Sequence, residues 1–162
     1  MSFTYEAIGI IRTPHQTIEG VPIQSCVAKE CEGSILLHEQ YVDGLEDLEG
    51  FSHIILIYHL HKSKNFNLKP VPFLDTKPHG VFATRAPRRP NPIGISVVRL
   101  TGIHENVLEI ENVDILDGTP LLDIKPYIPE FDAFKTDRTG WFEKRSSSIE
   151  DVKSDSRFKS EE

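Results

Sequence analysis

Gly80 to Leu100 reads GVFATRAPRRPNPIGISVVRL. Val81, Phe82, Ala83 and Thr84 read as a strand. Pro87, Pro90 and Pro92 then each fix φ at about −65° and remove a backbone donor. Their predecessors Ala86, Arg89 and Asn91 are pushed towards extended conformations. Neither a helix nor a central strand crosses that spacing. Gly94 releases the chain into a second strand, Ile95 to Leu100. Arg85, Arg88, Arg89 and Asn91 therefore sit on a loop stiffened by its own covalent geometry. Stiffness lowers the entropic cost of holding polar groups ready for a ligand.

Short β-rich runs lie on both sides of this stretch. Tyr5 to Arg12 is β-branched and stops at Thr13-Pro14. Residues 15–32 are irregular, with an extended polar loop at Val21 to Ser25. Gly33 to His38 forms a second strand, and Tyr41, Leu45 and Leu48 have helical spacing. Phe51 to His61, FSHIILIYHLH, is apolar on both faces at its middle, which predicts a central strand covered on both sides. Residues 63–78 form a proline-punctuated excursion, and a loop of that length is often functional. In Val107 to Leu116 the apolar phase slips after Ile110, predicting a bulge near Asn112. Asp117-Gly118 carries a hairpin signal. Leu121 to Tyr127 is the returning strand, with Leu122 and Ile124 on one face and Asp123 and Lys125 on the other. Ser147 to Glu150 has capping-box spacing for a short helix, and the last residues, from Ser154, read as frayed. Many short strands and hardly a helix predict an all-β fold, a barrel or sandwich.

At 162 residues the chain is one domain in size, with a formal net charge of −7. The distribution is uneven. Lys62 to Arg89 holds seven basic residues against Asp75, a net +6, while the remainder nets −13. A basic face on an acidic body suits a polyanion bound at one place; the alternative is a solvated surface with clustered charge. Cys26 and Cys31 form no disulfide framework and read as reduced thiols. The N-terminus lacks a basic segment followed by a long apolar one, so no secretory signal is expected. No apolar run is long enough for a membrane span, and a cytoplasmic location is expected. His59 and His61 share a strand face, a possible metal half-site that lacks a third ligand nearby; no metal is expected.

Three blocks, Gly80–Arg85 with Arg89–Gly94, Asp117–Pro120 and Asp123–Tyr127, resemble the TsaA-like family in matching order. Characterised members are tRNA adenine-N6 methyltransferases. The resemblance implies a compact antiparallel β-barrel, taken over residues 1–135, and a homodimer; the change of composition beyond it marks a partly helical or frayed C-terminal extension over 136–162. It implies S-adenosyl-L-methionine as methyl donor. The implied substrate is N6-threonylcarbamoyladenosine beside the anticodon of tRNA. Cofactor contacts are implied at Ile23, Gln24 and Ser25, at His61 and Lys62, at Arg85 and Ile95, and at Asp114, Ile115, Leu116 and Asp117. The chain departs from the family in carrying only a short extension after Tyr127 and in placing Ile23 where a basic or polar residue is common.

The residues are compatible with that chemistry. Asp114 and Asp117 would favour a cationic sulfonium electrostatically; otherwise Asp117 makes the turn and Asp114 is a polar strand residue. Arg85 offers a fork for a carboxylate or a phosphate. Arg88 and Arg89 suit RNA phosphate, or Arg89 an acid across a dimer interface. Asn91 reads a base edge or closes a turn. His61 and Asp117 are the candidates for a general base. Three readings compete with a tRNA methyltransferase: methylation of a small molecule or protein, a non-catalytic S-adenosyl-L-methionine-binding domain, and a metal-dependent hydrolase using His53, His59 and His61.

Overall fold

A computed structural model describes residues 1–19, 21, 31–144 and 154–158. Six strands make up the body: β1 (Gly9–Arg12), β2 (Glu32–Leu37), β3 (His53–His59), β4 (Ile93–His104), β5 (Val107–Glu111) and β6 (Thr119–Pro126). They close into a barrel in the order β1-β2-β5-β4-β3-β6, and every neighbouring pair is antiparallel. Closure removes the unpaired edges that an open sheet of this size would expose. Among the described residues the helical content is one short α-helix, α1 (Pro129–Asp132), and scattered 3-10 turns.

Alternation explains the core. Ile11, Ile35, Ile54, Leu56, Leu108 and Leu121 point inwards and are fully buried. β3 is not covered on both sides as its apolar middle suggests. Ile54, Leu56 and Tyr58 fill the barrel, while Ile55 and Ile57 lie half-buried on the outside and His59 is exposed. A barrel has one interior, so the second apolar face is left on the outer wall. Tyr41, Leu45 and Leu48, on 3-10 turns after β2, pack against the core as their spacing indicates.

Several sequence expectations shift. The expected strand over 81–84 is a 3-10 turn, Val81–Ala83; among the described residues no strand pairs with it. The first strand begins only at Gly9. The slip near Asn112 is not a bulge within one strand: β5 ends at Glu111 and Asn112 adopts a left-handed φ of 64°. Val113 and Ile115 then plug the end of the barrel, 0% and 2% exposed. Asp117-Gly118 makes a turn, with Gly118 at φ 74°, but no hairpin. The strand that follows, β6, pairs with β1 and β3 and not with β5. On β6 the phase also changes. The register shift opposite Ile57/Tyr58 leaves Leu122 unpaired, so Leu121 and Ile124 face the core while Asp123 and Lys125 form an ion pair of 2.8 Å outside.

The C-terminal segment is packed where it is described. Phe158, on a 3-10 turn over Ser156–Phe158, is 6% exposed and meets Phe73 edge-on, with ring centroids 4.9 Å apart. Its apolar ring supplies burial that the charged sequence around it conceals. The capping box at Ser147 lies outside the described residues.

Candidate functional site

One end of the barrel opens into a cavity of about 490 Å3. The end of β3, the start of β4, the irregular run after β5, the start of β6 and the proline-bracketed loop all meet there. Its volume lies within the ordinary range for small-molecule sites.

The floor is a chain of hydroxyls ending in a carboxylate. The Tyr58 hydroxyl lies 3.0 Å from Ser96 Oγ, and Ser96 Oγ donates to Asp114 Oδ1 at 2.7 Å. Since the Ser96 proton goes to the carboxylate, Tyr58 donates to Ser96. Burial, reinforced by the Asp114 charge, pushes the Tyr58 hydroxyl far above its ordinary pKa, so it remains a donor. Gly94 sets the approach of β4 to this floor. A Cβ there would lie 2.2 Å from the Tyr58 ring, so only glycine lets the ring lie flat beneath the strand.

His61 stands just beyond β3, where Leu60 N–H bonds the Pro92 carbonyl at 2.8 Å. Its Nδ1 lies 3.3 Å from Thr119 Oγ1, whose own proton goes to the Leu116 carbonyl at 2.7 Å. The imidazole must therefore donate from Nδ1, which leaves the Nε2 lone pair unprotonated in the neutral ring. Burial lowers the His61 pKa, helped by Lys62 and His59 and opposed by Asp117. The neutral base is thus the form favoured at neutral pH.

The loop that carries the arginines is held by individual bonds. Thr84 Oγ1 donates to the Val81 carbonyl and accepts from Ala86 N–H. Arg89 Nη1 donates to the Thr84 and Ala86 carbonyls at 3.2 and 3.3 Å. Ser63 Oγ donates to the Pro87 carbonyl, and Asn67 N–H to that of Arg88. Arg89 is thus a brace for the loop as well as a wall of the cavity.

The structure gathers most of the residues singled out in the sequence. His61, Lys62, Arg85, Ile95, Asp114, Ile115 and Leu116 line the cavity, and so do Arg89 and Asn91. Ile95 reaches it from the outer face of β4, opposite Ile57. Asp117 is not among the lining residues. Its Oδ1 accepts the Thr13 N–H at 3.0 Å and its Oδ2 lies 3.5 Å from Arg12, so it anchors the end of β1. The Thr13 N–H, first among several causes, holds its carboxyl below the usual range. Arg88 does not line the cavity either; its Nε is buried without a hydrogen-bond partner among the described residues. Ile23, Gln24, Ser25 and Cys26 lie outside the described residues. Cys31 Sγ sits 3.2 Å from His15 Nε2, with burial first among the causes that raise its pKa, as suits an inert thiol.

Sequence reasoning passed over Tyr58, Ser96, Thr119, Ser154 and Phe158, all of which belong to the site or its walls. Thr119 sits within the Asp117–Pro120 block and was findable there. Ser96 had one signal, a lone polar residue on an inward strand position. Ser154 and Phe158 had none.

An S-adenosyl-L-methionine molecule would meet compatible groups here. Asp114 can face a cation or a ribose, Arg85 and Lys62 an amino-acid carboxylate, and Leu60, Ile115 and Leu116 an adenine ring. Among the described residues no group of three metal-ligating side chains occurs, and no helix is long and apolar enough to cross a membrane.

Known proteins share this architecture. A probable S-adenosyl-L-methionine-binding protein of Pyrococcus abyssi is 54% identical over 95% of this chain and 84% of its own. The tRNA (adenine(37)-N6)-methyltransferase of Escherichia coli is 38% identical over 79% of this chain. The crystal structure of TrmO from Pseudomonas aeruginosa matches with a TM-score of 0.74 and 38% identity over 87% of this chain. The chain spans only 59% and 63% of those last two proteins. Residues 10–133 match the family model described as the tRNA-methyltransferase O N-terminal domain, and the chain belongs to that family.

Proposed function

We propose that this protein is an S-adenosyl-L-methionine-dependent methyltransferase that acts on N6 of adenosine 37, beside the anticodon of tRNA, and that its preferred target is the threonylcarbamoyl derivative. The observation that carries the reading is a single cavity bringing Asp114, Arg85 and a neutral His61 beside a stiff cationic loop. Bound S-adenosyl-L-methionine supplies an electrophilic methyl group. Asp114 would favour the positive charge of the donor, and Arg85 would pair with its carboxylate. The proton that N6 loses passes to His61 Nε2. An N–H between a purine and a carbamoyl group is acidic enough for a weak base to assist, and much of the rate comes from alignment. Arg88 and Asn91, with Lys62 and Lys69, supply contacts to the RNA strand. Asp117 acts by holding the corner next to His61.

We infer a homodimer contact at the outer wall of β3 and β4, where Ile93 and Ile95 are 45% and 55% exposed beside Ile55 and Ile57. An apolar strip of that kind on a sheet wall favours a symmetric contact. The work is assigned to the cytoplasm, where tRNA and the cofactor meet.

The test is methyl incorporation into defined tRNA that carries or lacks the threonylcarbamoyl group, with anticodon-loop nucleosides identified by mass spectrometry. Methylation of the carbamoylated tRNA alone supports the full reading. Methylation of both leaves the enzyme and removes the substrate preference. Cofactor binding without methylation of either refutes the tRNA reading and favours a small-molecule or protein substrate.

A further inference from the structure

Phe73, Thr84, Arg85, Pro87 and Phe158 wall the cavity described above and also border a second one of about 710 Å3. Its far side is aromatic, formed by Phe82, Trp141 and Phe142. Trp141 is held rigidly. Its Nε1 donates to the Ala83 carbonyl at 2.8 Å, and its ring stacks on His79 with centroids 4.7 Å apart and planes 19° apart. His79 is itself fixed by Asp75 at 3.0 Å. Phe142 stands nearly perpendicular to Trp141, at 83°. Phe82 is 79% exposed at the rim. Trp141, Phe142 and Phe158 all lie outside the matched family segment, residues 10–133. Ser154 pins the tail by donating to the Ile18 and Val21 carbonyls.

We infer that this second cavity is a nucleobase subsite, which takes an unstacked base of a single-stranded RNA loop next to the nucleotide being methylated. The inference rests on the tRNA reading above. Single-stranded RNA is recognised by splaying its bases onto aromatic rings while cationic side chains track the phosphates. Both are present: a corner of fixed rings, and a wall drawn from residues 72–74 and 82–87 of the chain segment of net charge +6. An apolar peptide would use the rings and gain nothing from that charge. Continuity between the two cavities places a flanking base beside the reacting one, as a loop of consecutive nucleotides requires.

Trp141 is the only tryptophan in the chain, so its fluorescence reports on this cavity alone. The protein is saturated with S-adenosylhomocysteine to fill the first cavity, then titrated with a short oligoadenylate or with an abasic oligomer of equal length. Saturable quenching by the oligoadenylate and little by the abasic strand is expected. Phe82→Ala, at an exposed position, should keep the thermal unfolding of the parent and weaken oligoadenylate binding about fivefold or more. In turnover with tRNA it should raise KM and leave kcat nearly unchanged. Equal quenching by both oligomers, no quenching, or unaltered affinity and KM in Phe82→Ala overturns the inference, even where tRNA is methylated. Base-dependent quenching without methylation of any tRNA overturns the tRNA reading and leaves the base site standing.

Discussion

The barrel wall and the loop region from His61 to Pro92 are held together by different means. Every strand of the barrel is paired on both sides, and its inward residues, such as Ile11, Ile35, Leu56 and Leu121, are 0% exposed. The loop region has no ladder. Its conformation depends on single bonds, such as Val81 N–H to the Leu68 carbonyl, Ser63 Oγ to Pro87, and Arg89 Nη1 to two carbonyls. The wall is stabilised by buried area and the loop is positioned by a few directed contacts plus six prolines. Damage to the wall should therefore appear as lost stability, and damage to the loop as lost activity.

The contrast can be broken by substitution. Leu56→Ala should have the largest effect on stability, about 2–5 kcal/mol in chemical denaturation, with near-normal activity in the molecules that remain folded. Gly94→Ala lies where the two regions meet. The new Cβ falls on the Tyr58 ring, so a cost of about 1–3 kcal/mol is expected together with weaker cofactor binding by equilibrium dialysis. Loss of stability with unaltered cofactor affinity would separate the floor from the site.

Arg89→Ala sharpens the comparison from the other side. Removing two loop-bracing bonds should change stability by about 1 kcal/mol, yet slow methyl transfer tenfold or more, since small misplacements of reacting groups are costly. A large fall in melting temperature with normal turnover would contradict the division. The smallest effect concerns pH. The folded protein binds the His61 proton less tightly than the unfolded chain does, whose value is near 6.5. Below that pH the unfolded state carries more protons, so stability declines as pH falls through the lowered His61 pKa. His61→Gln should remove that part of the slope in denaturant titrations between about pH 5 and 7, and wild-type activity should persist to below pH 6.5. An unchanged slope would mean that His61 is not held neutral by burial.

Much of this molecule was legible from the chain. The β-rich runs of β2 and β3 and the alternation in β5 mark the strands, because strand propensity and a side-chain period of two are local properties. The three prolines define a rigid loop, because their φ restriction is covalent. The +6 segment and the block resemblance directed attention to Arg85, Asp114 and His61, and all three line one cavity. The failures share a cause. Val81–Ala83 has strand propensity and forms a 3-10 turn, because no strand among the described residues pairs with it. Asp117-Gly118 has a hairpin dipeptide and makes a corner, because its partners are β1 and β3. Asp117 has the right chemistry for the site but is engaged by Thr13 and Arg12.

Consecutive residues are enough to mark most of the strands, the stiff cationic loop and the family, since each follows from local backbone preference or from blocks of neighbouring residues. Only the tertiary structure decided which side chains meet. The Tyr58–Ser96–Asp114 chain, the Thr119 contact that sets the His61 tautomer, and the tail residues Ser154 and Phe158 that reach the cavity wall all join distant parts of the chain. Barrel closure brings them together, and closure is a property of all six strands at once, with no signature in any one stretch.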